Sequence, residues 1–497
     1  MRYVIGLDVA TTSTKALLLD QAGAVVASTS SPYEYDMPRP RWTEQHPVVW
    51  WDAAVRAVRL LFDQSEVFGG EVDAVGLTGQ MHGSVLLDTD GEVVRPAILW
   101  NDQRTVDECD EIRNRIGRQR LIEITGNDAL TGFTAPKLLW VANHEPENWA
   151  KVATILLPKD YVRFRLTDVR AVDVSDGSGT ILFDLARRNW SPEVLAALGI
   201  AESQCPTVFE GPEIIGRISS EAASLTGLAA GTPVAAGGGD QAANAVGVGA
   251  VTSGITALSL GTSGVVFAPG DRPTFDSDGR ANSFCHATPD KWHMMSVMLS
   301  AAGSLRWLRD ALAPRTSFED LLFGAAEAGP GASGLTFLPY LSGERTPHND
   351  PNATGAFVGL KLEHDLRHMT RAVLEGVAFG LRDGLDLMVA VGIPQPVSIR
   401  ASGGGTKSTL WRQILADVLE ADIDIVATGE GAAFGAGLLA SVGAGHFDSV
   451  ESAVTNAVEV ETVAMPAGNA ALYREGHSRY KALYPAMKLA FSASTDR

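Results

Sequence analysis

The chain has 497 residues, 45% hydrophobic and 20% charged, which is ordinary globular usage and enough material for two or more domains. With 40 basic and 59 acidic residues the formal charge is −19, which excludes a nucleic-acid backbone as a partner and requires any anionic ligand to be held by locally built donors, backbone N–H groups and a metal ion. Cys109, Cys205 and Cys285 are widely spaced and form no C-x-x-C pair, so neither a zinc site nor a disulfide framework is indicated and a reducing compartment, the cytoplasm, is expected. Asp8 breaks the first apolar run too early for a signal-peptide core, and no apolar stretch approaches the roughly 18 residues of a spanning helix.

In chain order, Tyr3–Leu7 reads as a short buried strand, Thr11–Thr14 as a polar turn, Lys15–Asp20 as a second strand, and Ala24–Ser28 continues the meander. Trp50, Ala54, Val58 and Leu61 recur at helical spacing, predicting a helix over Pro47–Phe68; Asp73–Leu77 and Ser84–Asp88 read as strands. A second strand, hydroxyl-rich turn and strand occupies Thr256–Leu260, Gly261–Gly264 and Val265–Ala268, half a chain later, which suggests two similar halves with a boundary near 245–255 and a tight but hinged interface. Beyond it, Leu366–Val391 and Thr409–Leu419 are predicted helices. Val397–Ala401 and Ile423–Ala427 are predicted strands, Ala432–Ser441 a closely packing small-residue helix, and Phe491–Arg497 a frayed end. Strands alternating with helices point to an α/β architecture.

Six segments have residue types suited to chemistry. In Leu7-Asp8-Val9-Ala10-Thr11-Thr12-Ser13-Thr14-Lys15 a strand-end carboxylate precedes a run of hydroxyls and a lysine, a pattern that aims donors at a phosphate and places Asp8 for Mg²⁺, although Thr and Ser in a plain hairpin turn bond their own backbone. Gly261-Thr262-Ser263-Gly264 has the same logic without the carboxylate and would grip phosphates from the opposite side. Gly237-Gly238-Gly239-Asp240-Gln241 permits close backbone approach and puts a carboxylate at a helix start, where it serves as a base, as an N-cap, or as both. Gly403-Gly404-Gly405-Thr406-Lys407-Ser408 lacks the glycine spacing of a G-x-x-x-x-G-K-[ST] loop and would instead let an adenine lie on backbone; no G-x-G-x-x-G follows the first strand. Gln80-Met81-His82-Gly83 offers a histidine at a strand exit, either a donor to a sugar hydroxyl or a structural residue. Trp100-Asn101-Asp102-Gln103-Arg104 offers a donor–acceptor array for a polyol, or a solvated helix start.

With those segments stands a resemblance that runs nearly end to end. The run Gly132-Phe133-Thr134-Ala135-Pro136-Lys137-Leu138-Leu139-Trp140-Val141-Ala142-Asn143-His144, followed by Gly355-Ala356-Phe357-Val358-Gly359-Leu360 through Ala372-Val373-Leu374-Glu375, resembles the two signatures of the FGGY family of carbohydrate kinases. The segments at 80–83 and 100–104 are similar to those of members that phosphorylate D-xylulose at its 5-hydroxyl. The resemblance implies two ribonuclease-H-like domains of the actin and hexokinase type around a cleft, 1–246 for the sugar and the first phosphate turn and 247–497 for ATP. It implies Asp240 as catalytic base and Asp8 at magnesium and phosphates. Met81, His82, Asn101, Asp102, Arg104 and Gln241 become sugar contacts. Thr11, Thr12, Ser13, Lys15, Gly261, Thr262, Gly303, Gly404 and Gly405 become nucleotide contacts.

The expected partners are ATP, Mg²⁺ and a small sugar, with no nucleic acid and no membrane, and a homodimer as the assembly to consider. Ala10 stands where relatives often have Gly, and Gln241 where many have Asn, which bears on sugar choice. Gluconate, ribulose, ribitol or glycerol are the rival substrates, and for gluconate Arg104 is the nearby cation. An actin-like ATPase or chaperone, and a non-catalytic sugar sensor, are the rivals of another class; the segments at 80–83 and 100–104 speak against the former, and the intact Asp240 and phosphate turns against the latter.

Overall fold

The structure, a computed structural model, describes residues 2–427 and 429–492; of the expected frayed end, residues 493–497 lie outside the described residues. In the first half Tyr3–Val9 (β1), Ser13–Asp20 (β2) and Val25–Pro32 (β3) form an antiparallel meander. The predicted helix is Val48–Ser65 (α1), ended by Glu66 in the left-handed region, and its buried stripe includes Trp50, Ala54, Val58 and Leu61. Full burial of side chains such as Val58 and Leu61 stabilises by roughly 1.5–3 kcal/mol each. Val72–Gly79 (β4) runs parallel to β1. Helices Thr134–His144 (α2), Pro158–Thr167 (α3) and Val174–Ser178 (α4) follow, then strands Ile214–Arg217 (β5), Pro233–Ala235 (β6) and Gly238–Gly239 (β7), and helix Asp240–Gly247 (α5). The sheet order is β5-β6-β4-β1-β2-β3, with β7 also paired to β4.

The second half repeats this plan. Ile255–Leu260 (β8), Gly264–Gly270 (β9), Asn282–Cys285 (β10) and Trp292–Met298 (β11) open it. Helices Ala302–Leu312 (α6) and Leu366–Ala390 (α7), strand Ser398–Ser402 (β12), helix Thr409–Leu419 (α8), strand Asp422–Val426 (β13), helix Gly431–Gly443 (α9) and strand Val460–Ala464 (β14) complete it. Its sheet, read as β14-β13-β12-β8-β9-β11 with β10 added at the far edge, matches the first sheet strand for strand. The directions match as well: β1 pairs antiparallel with β2 and parallel with β4, as β8 does with β9 and β12. The likeness of the two turns seen in the sequence is therefore a likeness of whole sheets. They differ at one edge, where β5 precedes β6 in the chain but β14 follows β13.

The halves meet through small residues. Helix α9, from the second half, lies on β1 and β4 of the first sheet and beside α5. A Cβ on Gly76 of β4 would stand 2.0 Å from the Ala436 carbonyl oxygen, and one on Gly435 would stand 1.8 Å from that of Ala243 on α5. Backbone thus rests on backbone, the close approach that the composition of 432–441 predicts. A second junction is made by β10, where Asn127 Nδ2 donates to Ser283 O (2.7 Å) and Asn282 Nδ2 to Asn127 Oδ1 (2.9 Å). No helix among the described residues is long and apolar enough to cross a membrane, and the three cysteines are unpaired.

Candidate active site

Two carboxylates come together where β1 ends and α5 begins. Asp8 is level with Thr78 of β4, and Thr78 is level with Gly238 of β7, so Asp240 leaves the sheet beside Asp8. Burial pushes the Asp8 carboxyl up to about 7, assisted by the charge of Asp240 and opposed by Lys15 across the β1–β2 pair. Burial likewise pushes Asp240 up to about 6, against hydrogen bonds from the Gln241 side chain and backbone. Asp240 is not the N-cap: Gly239 is, and Asp240 is the first helical residue, where the helix dipole favours a carboxylate without occupying it in a cap. Asp8 Oδ1 is buried with no hydrogen-bond partner.

The hydroxyl turn after β1 is closed by Ala10 N donating to Ser13 O (3.0 Å), and Ala10 needs no positive φ. Thr12 is exposed and Ser13 half-buried. Thr11 Oγ1 is drawn to the other side, donating to Gln80 Oε1 (3.3 Å) and accepting from Trp100 Nε1 (3.0 Å). Lys15 forms an ion pair with Glu430 of the second half, which takes its ammonium away from the phosphate role expected of it.

The matching turn of the second half is pinned to the start of α6: Ala302 N donates to Gly261 O (2.8 Å), and Ala301 N and Gly303 N to Thr262 O (2.8 and 3.2 Å). Ser402, before the glycine turn, is level with Ser259 of β8, and Gly405 packs on Leu260 while Gly404 stands open. Gly261, Thr262, Gly303, Gly404 and Gly405 therefore lie around the end of one strand, β8.

Next to Asp240, Met81 is buried against Gly239. His82 has φ +70°, and its carbonyl accepts from Lys137 Nζ (2.9 Å) and Thr134 Oγ1 (3.2 Å), which holds that conformation. The ring Nδ1 lies 2.8 Å from Gly179 O, so Nδ1 is assigned the proton and Nε2 is left as an acceptor. Burial, then the Lys137 charge, lowers His82 to about 3, so the imidazole is neutral. Lys137, itself lowered to about 7 by burial, also donates to Gly132 O (2.7 Å).

Asn101 accepts from Thr43 Oγ1 (2.8 Å), and among the described residues nothing accepts from its amide group. Asp102 and Arg104 are a correction to the polyol array. Asp102 is fully buried and holds Thr43 N and the Arg104 fork, while Arg104 also binds Glu44 and lies over the Trp42 ring, 3.8 Å from its centroid. The pair is a buried strut and offers no cation to a sugar.

Sequence comparison agrees with this geometry. Residues 3–247 match the N-terminal domain of the FGGY family of carbohydrate kinases, and residues 256–444 match its C-terminal domain. The chain belongs to the FGGY family of carbohydrate kinases. A xylulose kinase of Escherichia coli is 46% identical over 88% of this chain and 90% of its own length. Among solved structures, a xylulose kinase from Rhodospirillum rubrum superposes with TM-score 0.92 at 33% identity over 99% of this chain and 100% of that one. A gluconate kinase from Lactobacillus acidophilus gives 0.94 at 28% identity, also over 99% and 100%.

Behind the carboxylates this FGGY kinase carries a buried charge network absent from the sequence reading. Lys159 Nζ stands 2.7 Å from Asp160, 2.6 Å from Asp173 and 2.7 Å from Asp176, all four side chains without solvent exposure. The three carboxylates are spaced as metal ligands would be, and the ammonium stands where an ion would. Asp173 caps α4 and accepts from Ser175, whose Oγ accepts from Gly239 N (3.0 Å), one residue before Asp240. Lys137 sits inside the matched run 132–144, where the signature marks the segment but not the task of the lysine; nothing local in the sequence marks Lys159 and Asp173 as partners. A cavity of about 460 Å³ bordered by Tyr340, His348, Asp383 and Tyr484 lies apart from all of these residues.

Proposed function

We propose that this carbohydrate kinase transfers the γ-phosphoryl group of ATP to the 5-hydroxyl of D-xylulose, with Asp240 as the base. The observation that carries the reading is the pair of buried carboxylates, Asp240 beside Asp8, at the end of the first hydroxyl turn with Met81 packed on Gly239. The xylulose kinases among its relatives support the choice of sugar. Phosphoryl transfer passes through a loose transition state, so the protein's work is alignment and charge stabilisation. The sugar hydroxyl donates to Asp240, which takes its proton as the P–O bond forms; neutral His82 accepts from a second hydroxyl at Nε2; Gly261, Thr262 and Gly303 hold phosphates and Gly404 and Gly405 the adenosine. Asp8, with a buried oxygen lacking any partner, fits a Mg²⁺ ion, which when bound supplies positive charge to the phosphates.

We further propose a division at 246/247, supported by the two matching sheets, and a cytoplasmic location, supported by the three unpaired cysteines. The test is ADP release against D-xylulose, gluconate, ribulose, ribitol and glycerol. D-xylulose is expected to give the highest kcat/KM, and a higher value for any other would overturn the choice of sugar. For Asp8→Asn the Mg²⁺ concentration giving half-maximal rate is expected to rise about tenfold, the loss of roughly one charge-assisted contact; an unchanged magnesium titration would remove Asp8 from that role.

A further inference from the structure

We propose that Arg345 is a sugar contact supplied by the second half, a specificity-determining cation that donates to the oxygens at the end of the substrate held opposite His82. The proposal rests on the reading of His82 as a sugar contact. The Arg345 Nη2 donates to Asn282 Oδ1 (2.7 Å), a neutral amide, and among the described residues no carboxylate forms an ion pair with it. Arg104, Arg163 and Arg371, by contrast, each hold a carboxylate. In a chain of net charge −19, a guanidinium left without a counter-ion while burial opposes its charge is a group whose partner arrives from outside.

Its position follows from β10. Residues two apart on a strand share a face and lie about 7 Å apart, so Asn282 and Phe284 point the same way. Phe284 packs near His82, with ring centroids 6.3 Å apart, and near Phe133 at 6.2 Å. The Asn282 anchor therefore brings Arg345 to the side of β10 where His82 lies, and the charge of Arg345 reaches the imidazole. β10 is itself held to the first half by Asn127. A substrate seated between them would meet an acceptor, His82 Nε2, and a multiple donor. A hydroxyl satisfies both by donating to one and accepting from the other, and a carbonyl or carboxylate oxygen suits the guanidinium best. The substrate class is a polyol whose end remote from the transferred phosphoryl carries such an oxygen, a ketose or an aldonate, in preference to an alditol.

Calorimetric titration of D-xylulose and xylitol into the wild type, Arg345→Met and Arg345→Lys, paired with initial rates, tests this. Arg345→Met is expected to weaken D-xylulose binding about 10- to 100-fold, the loss of a charged hydrogen-bond donor, with xylitol weakened less and KM for ATP within twofold. Arg345→Lys, which keeps the charge without the fork, should fall between. Unchanged D-xylulose affinity in either folded variant, or an equal loss for xylitol, overturns the role; if only Arg345→Lys folds, its affinity decides. A wild type that binds D-xylulose but releases no ADP with any sugar would refute the proposed reaction and leave Arg345 to be judged on binding; one that binds no polyol refutes both.

Discussion

Asp240→Ala is expected to lose about 10²–10⁴-fold in kcat, the usual contribution of a general base, while KM for sugar and ATP stays within a few-fold. The hydroxyl to be phosphorylated is a weak acid, and its proton must leave during transfer; Asp240→Ala removes the carboxylate proposed to take it. Near-full kcat in the alanine variant would mean that the base is elsewhere. The pH profile gives an independent reading. Asp240 stands at about 6, so kcat/KM should fall below that pH, roughly tenfold per unit, and the acid limb should vanish in the variant. Stability runs the other way. Asp8 and Asp240 both stand above the ordinary 3.8, so the unfolded chain releases these protons first as pH rises. Their burial weighs least below about 4, stability declines from about 4 to about 7, and the penalty is constant above. Asp240 gains the charge that the proposed reaction requires over the same window in which the fold loses stability.

Lys159→Met is expected to destabilise the fold by about 3–5 kcal/mol, the effect of breaking a buried ion network by removing one side. Against a typical total of about 5–15 kcal/mol, soluble yield should drop sharply. Three carboxylates would remain with Arg163 alone for charge, and the cheapest relief is to take up protons. The defect should therefore be larger at pH 8 than at pH 5, as read by denaturant unfolding at both values. A variant with wild-type stability at pH 8 would show that the ammonium is not what holds the cluster. Through Asp173 and Ser175 the same cluster fixes Gly239 N, so whatever folded Lys159→Met remains should also have lower kcat.

Local patterns carried far in this chain. The apolar run of β1, the hydroxyl turn and the spacing of Trp50, Ala54, Val58 and Leu61 each report a short-range preference, and the structure keeps them with ends shifted by a few residues. The duplication was visible as two turns because a β-hairpin is contiguous in sequence; the full match required strand partners such as β4 and β12, which lie far from the hairpins they join. Side-chain roles were less legible. Asp102 and Arg104 form a polar run that suits a sugar equally well as a buried strut, and the choice was made by Glu44, Trp42 and Trp140, which come from other segments. Arg345 and Lys159 stand in sequence surroundings with no periodicity or motif to mark them. Their meaning comes from what folding puts beside them, a neutral amide for one and three carboxylates for the other.

The two junctions between the halves have a mechanical consequence. One is the seam of α9 on the first sheet and α5, where glycines set backbone on backbone while Phe434 and Leu438 share a buried cluster with Leu17 and Ala74; the other is β10, held by Asn127 and by Phe284 packed near Phe133. The seam can take no added bulk, because a methyl on Gly76 or Gly435 would stand within 2.0 Å of a carbonyl oxygen of the opposite half and would force the two halves apart.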